Sequence, residues 1–190
     1  MGDVNQQLFL TRALPRIDGP VLEVGSRDYG STVSFRDVYG GNEYVGVDLS
    51  AGKNVDRVID LAAGVGDLAE GHFALAICCS VLEHVRRPWD MAANLTRLLR
   101  PGGAIYVAVP WVWRYHPYPD DYWRFSWRGV AELFPHITWS RQACSTNLED
   151  EFFEAERGSD NSRMKFADTP AGQRKYLPYV QVHMLGAKPA

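Results

Sequence analysis

The chain has 190 residues, 46% of them hydrophobic and 23% charged, with a formal net charge of -3 and a sequence pI of about 5.9. That length suits one domain whose core needs neither disulfides nor metals to hold it. The acidic balance argues against a nucleic-acid partner, and no apolar run reaches the roughly 20 residues of a membrane helix, so no membrane partner is expected.

Apolar positions Val4, Leu8, Phe9 and Leu14, with Pro15 following, predict a short helix within an N-terminal lead-in over residues 1–19. Val21 to Val24 reads as a strand closed by Gly25, and Ser31 to Tyr39 as the next helix, ended by Gly40 and Gly41. Tyr44 to Asp48 and Arg57 to Leu61 are further short apolar stretches. Phe73 to Cys79 is nearly continuous in apolar residues, the signature of a strand covered on both faces. Pro88 to Leu99 has helical spacing and is expected to stop at Pro101-Gly102-Gly103, ahead of a buried strand over Ala104 to Val109. Ser126 is placed to cap a helix running to Phe134, and Ile137 to Gln142 and Tyr179 to Leu185 are late strands. Alternating strands and helices predict an α/β sheet wound by right-handed crossovers. Residues 145–175 are polar and charged and break the pattern; they read as a variable excursion or a lid. Cys78, Cys79 and Cys144 have no metal or redox spacing, and the N-terminus lacks the basic and apolar regions of a signal peptide. Both features fit a cytoplasmic protein.

Two features point to chemistry. Gly25 allows the sharp turn at the end of the first strand that lets a ligand approach the backbone, where ligands of open α/β sheets bind. Asp48, at the end of the next strand, is placed to accept hydrogen bonds from a ribose diol. The turn alone is a weak signal, because Ser26-Arg27-Asp28-Tyr29 supplies no second glycine before Gly30; that gap also argues against a nicotinamide dehydrogenase.

The series Val21-Leu22-Glu23-Val24-Gly25, Val45-Gly46-Val47-Asp48, Asp60-Leu61, Ser80-Val81-Leu82-Glu83-His84-Val85 and Leu98-Leu99-Arg100-Pro101-Gly102-Gly103 resembles the class I S-adenosylmethionine (SAM)-dependent methyltransferases. It is closest in character to their small-molecule, type 11-like subgroup. The resemblance is carried by Val21 to Val109. It implies one methyltransferase domain over residues 1–190, with a Rossmann-like, mostly parallel, seven-stranded sheet flanked by helices. It also implies a SAM site. Glu23 would lie near the methionine amino group, and Gly25 and Ser26 along the methionine. Asp48 and Leu49 would meet the ribose, Asp60 and Leu61 the adenine, and Ser80 the sulfonium region. In this family Glu83 and His84 commonly serve packing and loop structure, and they are read that way here.

Residues 110–128 hold the densest aromatic stretch of the chain and read as an acceptor-site loop. Trp113, Tyr115, Tyr118, Tyr122 and Arg124 suit a small-molecule acceptor, a sugar as first choice, because aromatic faces cover C–H surfaces while charged groups bond hydroxyls. His116 is the expected general base for O-methylation. Asp120 and Asp121 are expected to orient it, to bind hydroxyls, or to hold a magnesium ion. N-methylation of a small amine and a non-catalytic SAM-binding module are the alternatives. The reading also leaves room for a homodimer.

Overall fold

The computed structural model describes residues 2–30, 33–154 and 179–190. Its centre is one eight-stranded sheet of order β3-β2-β1-β4-β5-β8-β6-β7. The strands are β1 (Val21–Val24), β2 (Tyr44–Asp48), β3 (Arg57–Val58), β4 (Phe73–Cys79), β5 (Leu99–Val112), β6 (Thr138–Ser145), β7 (Phe152–Glu154) and β8 (Val180–Ala187). The five strands from β3 to β5 run parallel. β8 is antiparallel to both β5 and β6, and β7 is antiparallel to β6. Among the described residues, four helices accompany the sheet: α1 (Gly2–Ala13), α2 (Arg36–Tyr39), α3 (Pro88–Leu98) and α4 (Trp127–Leu133). A 3-10 turn over Leu82–His84 follows β4.

The expected α/β class is present, with eight strands rather than seven. The additional strand is β7, in a segment read as a break: Phe152 pairs with Ser145 and Phe153 with Cys144. Residues 155–175 of that expected excursion lie outside the described residues. The helix predicted from Ser31 is a single turn, α2, beginning at Arg36. The expected stop at Pro101 is absent. β5 starts at Leu99 and runs through Pro101-Gly102-Gly103, where Gly102 takes φ +72°. Backbone bonds from Gly102 N to Lys188 O and from Lys188 N to Gly103 O, both 2.9 Å, hold the segment to the residues after β8.

Apolar periodicity explains why both faces of the sheet are covered. Odd and even positions of β4 and β5 feed opposite clusters. Ala76, Cys78, Ile105, Val107 and Val109 join Met91, Ala92, Leu95 and Leu98 of α3 on one face. Leu75, Ile77, Tyr106 and Ala108 join Phe9 and Leu10 of α1 on the other. Full burial of one such side chain contributes about 1.5–3 kcal/mol. Pro88 sits in the first turn of α3, where its missing N–H costs nothing. Ser126 caps α4 as expected, its Oγ accepting from Gly129 N at 3.2 Å.

Gly46 is fixed by close approach. A Cβ there would fall 2.2 Å from the carbonyl oxygen of Asn54 and 2.7 Å from Ser26 Oγ. Gly46→Ala is therefore expected to cost about 1–3 kcal/mol through overpacking of the β1–β2 edge. Urea unfolding of the purified variant measures this, and an unchanged midpoint would show that the loop yields freely.

Candidate active site

The carboxyl ends of the parallel strands open into a cleft of about 960 Å³, the position where open α/β sheets bind ligands. Gly25, at φ +70°, turns the chain away from β1 at its rim; a Cβ there would meet Val81 Cγ2 at 2.4 Å. Leu49, Asp60, Leu61 and Ser80 also line this cleft. Leu49 is exposed and Leu61 buried. Asp60 Oδ1 accepts from Ala62 N at 2.9 Å, and Leu61 is tied to α3 by Asn94 Nδ2, which donates to its carbonyl at 2.8 Å. Asp48 stands at the end of β2, with Oδ1 accepting from Ser50 N at 3.1 Å. That bond turns the chain and presents Leu49.

A smaller hollow of about 190 Å³ adjoins the cleft, sharing Gly25 and Ser80 with it; Glu23 and the buried Ser26 line it. Burial pushes the Glu23 carboxyl up to about 7, opposed by a 2.7 Å hydrogen bond from Tyr44 Oη and by the charge of Arg36. A cation brought to this hollow would restore the charge on Glu23. Arg27 also lines the hollow, with Nη1 donating to Ser50 Oγ at 3.2 Å and the guanidinium over the Tyr29 ring. Asp28 pairs with Lys53 at 2.6 Å, so the loop after Gly25 is pinned to the loop after β2.

Ser80 is the junction between the two hollows. Its φ of +53° turns the chain out of β4, and its Oγ accepts from Gln6 Nε2 at 2.9 Å and from Gln181 Nε2 at 3.2 Å. The sequence reading did not single out either glutamine. Gln181 is 1% exposed, lines the cleft, and leaves its Oε1 without a hydrogen-bond partner.

On the acceptor side the cleft is walled by Trp113, His116, Tyr118 and Tyr122. Tyr115, 71% exposed, is not part of that wall, nor are Asp120, Asp121 and Arg124. The last two brace the loop. Arg124 forks onto Asp121, with Nη1 to Oδ1 at 2.5 Å and Nη2 to Oδ2 at 2.8 Å. It also donates to the carbonyls of Trp113 and Arg114. The Asp121 carboxylate is 1% exposed; the hydrogen bonds from Arg124 hold its carboxyl well below the usual range against the opposing effect of burial. It accepts from His116 N at 2.8 Å and lies 3.2 Å from His116 Nδ1. Glu83 clamps the loop from beneath, its carbonyl accepting from Tyr122 N and Trp123 N. This is the loop-forming role read for Glu83, but its side chain and that of His84 also reach the cleft wall.

The carboxylates of Asp120 and Asp121 serve Tyr122 Oη and Arg124 respectively. They do not assemble the oxygen-rich set a magnesium ion would need. Among the described residues, the donors that converge belong to Glu83, His84 and His116.

Solved structures share this architecture. The Burkholderia thailandensis 1,6-didemethyltoxoflavin-N1-methyltransferase, crystallised with its substrate and S-adenosylhomocysteine, superposes with a TM-score of 0.62 at 17% identity, over 97% of this chain and 77% of that one. A methyltransferase of Bacillus halodurans matches with a TM-score of 0.65 at 13% identity, over 98% and 99% of the two chains. These likenesses define the fold as that of the Rossmann-like methyltransferases. The chain belongs to the methyltransferase domain family, whose model matches residues 5–152. The human thiol S-methyltransferase TMT1B is 28% identical over 119 residues, which is 63% of this chain and 44% of that protein's length. Among the described residues no helix is long and apolar enough to cross a membrane.

Proposed function

We propose that the protein methylates a hydroxyl of a small polar acceptor, a sugar or oligosaccharide as first choice, with SAM as donor and His116 as general base. The observation that carries this reading is the pairing of His116, in the cleft wall, with the buried Asp121 behind it. A buried carboxylate 3.2 Å from Nδ1 favours the tautomer with its proton on that atom, and so leaves the Nε2 lone pair for a proton arriving from the acceptor.

Bound SAM supplies an electrophilic methyl group on a sulfonium. In the transfer the acceptor's oxygen–carbon bond forms as the carbon–sulfur bond breaks, the hydroxyl proton passes to His116, and S-adenosylhomocysteine leaves. Gly25, Ser26 and Ser80 would hold the methionine end, and Glu23 would pair with its ammonium. Asp48 and Leu49 take the ribose, and Asp60 and Leu61 border the adenine. Trp113, Tyr118 and Tyr122 hold the acceptor's C–H faces. Asp121 and Arg124 act through the loop, and Tyr115 and Asp120 stand at its outer side. The unbridged thiols of Cys78 and Cys144 suit a reducing, cytoplasmic setting.

The human relative named for thiol S-methylation favours a second reading, a thiol acceptor, for which deprotonation is easier and His116 matters less. Labelled SAM offered with a panel of sugars, thiols and amines tests the acceptor. Label in sugars supports the first reading, and label confined to thiols or amines removes it.

Asp48→Ala is expected to weaken S-adenosylhomocysteine binding about 10–100-fold, from loss of charge-assisted bonds to the ribose. Asp48→Asn, which keeps an acceptor for Ser50 N, separates that loss from the loss of the turn. Wild-type affinity in both variants, by calorimetry, would take the ribose role away from Asp48.

A further inference from the structure

We propose that Glu83, His84 and His116 form a binding site for a divalent transition-metal ion of the zinc class in the wall of the cleft. The three side chains come from the 3-10 turn after β4 and the loop after β5, and one ligating atom from each lies within 4.8 Å of the others. Glu83 is 1% exposed, and neither of its carboxylate oxygens has a hydrogen-bond partner. His84 Nε2 lies 3.8 Å from Oε1, and the charge of Arg124, already engaged by Asp121, acts on the carboxylate from further off. A carboxylate buried without partners is costly, and a cation among its neighbours offsets that cost.

Both imidazoles are already oriented as metal ligands are. His84 Nδ1 lies 2.6 Å from the carbonyl oxygen of Asp120. His116 Nδ1 lies 3.1 Å from the Arg114 carbonyl oxygen and 3.2 Å from Asp121 Oδ2. A ring N–H donated to a carbonyl or carboxylate is the outer-shell contact that fixes the opposite nitrogen for a metal. The rings meet edge to face with centroids 4.8 Å apart. Metal bonds of about 2.0–2.1 Å would draw tetrahedral donors to about 3.3 Å from one another, a contraction of at most about 1.5 Å from the 4.8 Å within which they lie. Two imidazole nitrogens and one carboxylate oxygen suit zinc, cobalt or nickel, whereas magnesium and calcium take oxygen sets. Three protein ligands leave a fourth position open to the cleft. Because the proposed function rests on the His116 lone pair, a bound metal takes that pair and inhibits transfer to a hydroxyl.

The whole protein, stripped with a chelator and freed of it, is titrated with Zn²⁺ by calorimetry and with Co²⁺ by visible absorption. One equivalent of each is expected, with ligand-field bands for Co²⁺ that Zn²⁺ abolishes and excess Mg²⁺ leaves alone. Glu83→Gln, His84→Ala and His116→Ala are each expected to weaken binding about 100-fold or more, with circular dichroism checking the fold. His72→Ala, at an exposed histidine away from the cleft, is expected to bind as wild type. No stoichiometric binding, or binding retained in both Glu83→Gln and His84→Ala, overturns the site. These readouts do not need turnover, so a protein that binds metal at these residues without methylating any hydroxyl keeps the site and loses the O-methylation reading. Activation by Zn²⁺ keeps the site and removes His116 as the free base.

Discussion

His116→Ala is expected to lower methyl transfer about 10²–10⁴-fold, the usual contribution of a positioned general base, while S-adenosylhomocysteine binds with unchanged affinity. The loop should survive the change, because its anchors lie elsewhere. Arg124 grips Asp121, and Glu83 O receives Tyr122 N and Trp123 N. Trp123 Nε1 donates to Val85 O at 2.9 Å, and Phe125 N to Pro110 O at 3.0 Å. The residues proposed for the cofactor lie on other elements, in or just after β1, β2, β3 and β4. The loss should therefore fall on kcat with little change in KM for SAM. Single-turnover measurements separate the chemical step from product release. Turnover close to wild type would take His116 out of the mechanism and favour an acceptor that arrives already deprotonated.

The second large effect concerns stability in acid. His183, on β8, is fully buried between two hydroxyls, with Tyr106 Oη at 2.8 Å from Nδ1 and Ser145 Oγ at 2.7 Å from Nε2. A neutral ring protonated at Nδ1 satisfies the whole set: it donates to Tyr106, which donates to Gln6 O, while Ser145 donates to Nε2. A second ring proton would turn Ser145 Oγ from donor to acceptor and put a charge in the core, and burial lowers the pKa to about 3. The unfolded chain takes up that proton near pH 6.5; the folded chain does not until about pH 3. As pH falls from about 6.5 toward 3 the folded state therefore loses about 1.4 kcal/mol per pH unit, or about 3 kcal/mol by pH 4. Urea unfolding of wild type and His183→Gln across pH 4–7 checks this. The variant is expected to be weaker at pH 7 but to lose stability less steeply on acidification. Parallel pH profiles would show that His183 is not the group responsible.

The parallel half of the sheet was readable in the sequence because β1 and β4 are short apolar runs buried on both faces and β2 is a half-buried apolar run beside them. The cofactor-side candidates followed from strand ends: a glycine after β1, acidic residues after β2 and in the loop after β3, a serine after β4. What could not be read depends on distant partners. Pro101-Gly102-Gly103 has local stop chemistry, yet it stays in β5 because Lys188 supplies its backbone bonds. Phe152 and Phe153 sit in a charged stretch and become a strand only through β6. Gln6 and Gln181, isolated polar residues in a helix and a strand, acquire a shared role only where the fold brings both to Ser80. The loop 110–128 was legible as a site by its aromatics, but the sequence did not separate wall from brace. Arg124 was expected to face the acceptor, and its guanidinium is engaged with Asp121 and backbone carbonyls instead.

The strand order carries a consequence for how the molecule is made. β8, residues 180–187, lies between β5 and β6, so β6 and β7 have no seat on the parallel strands until β8 arrives. During synthesis, β1 to β5 can pair as they leave the ribosome, but β6 and β7 must wait as a detached hairpin. The apolar edge of β5 is uncovered for the same interval, and Ser80 lacks its contact from Gln181. A nascent chain stalled before residue 180 should therefore be half a sheet with an open edge, prone to join a second such chain.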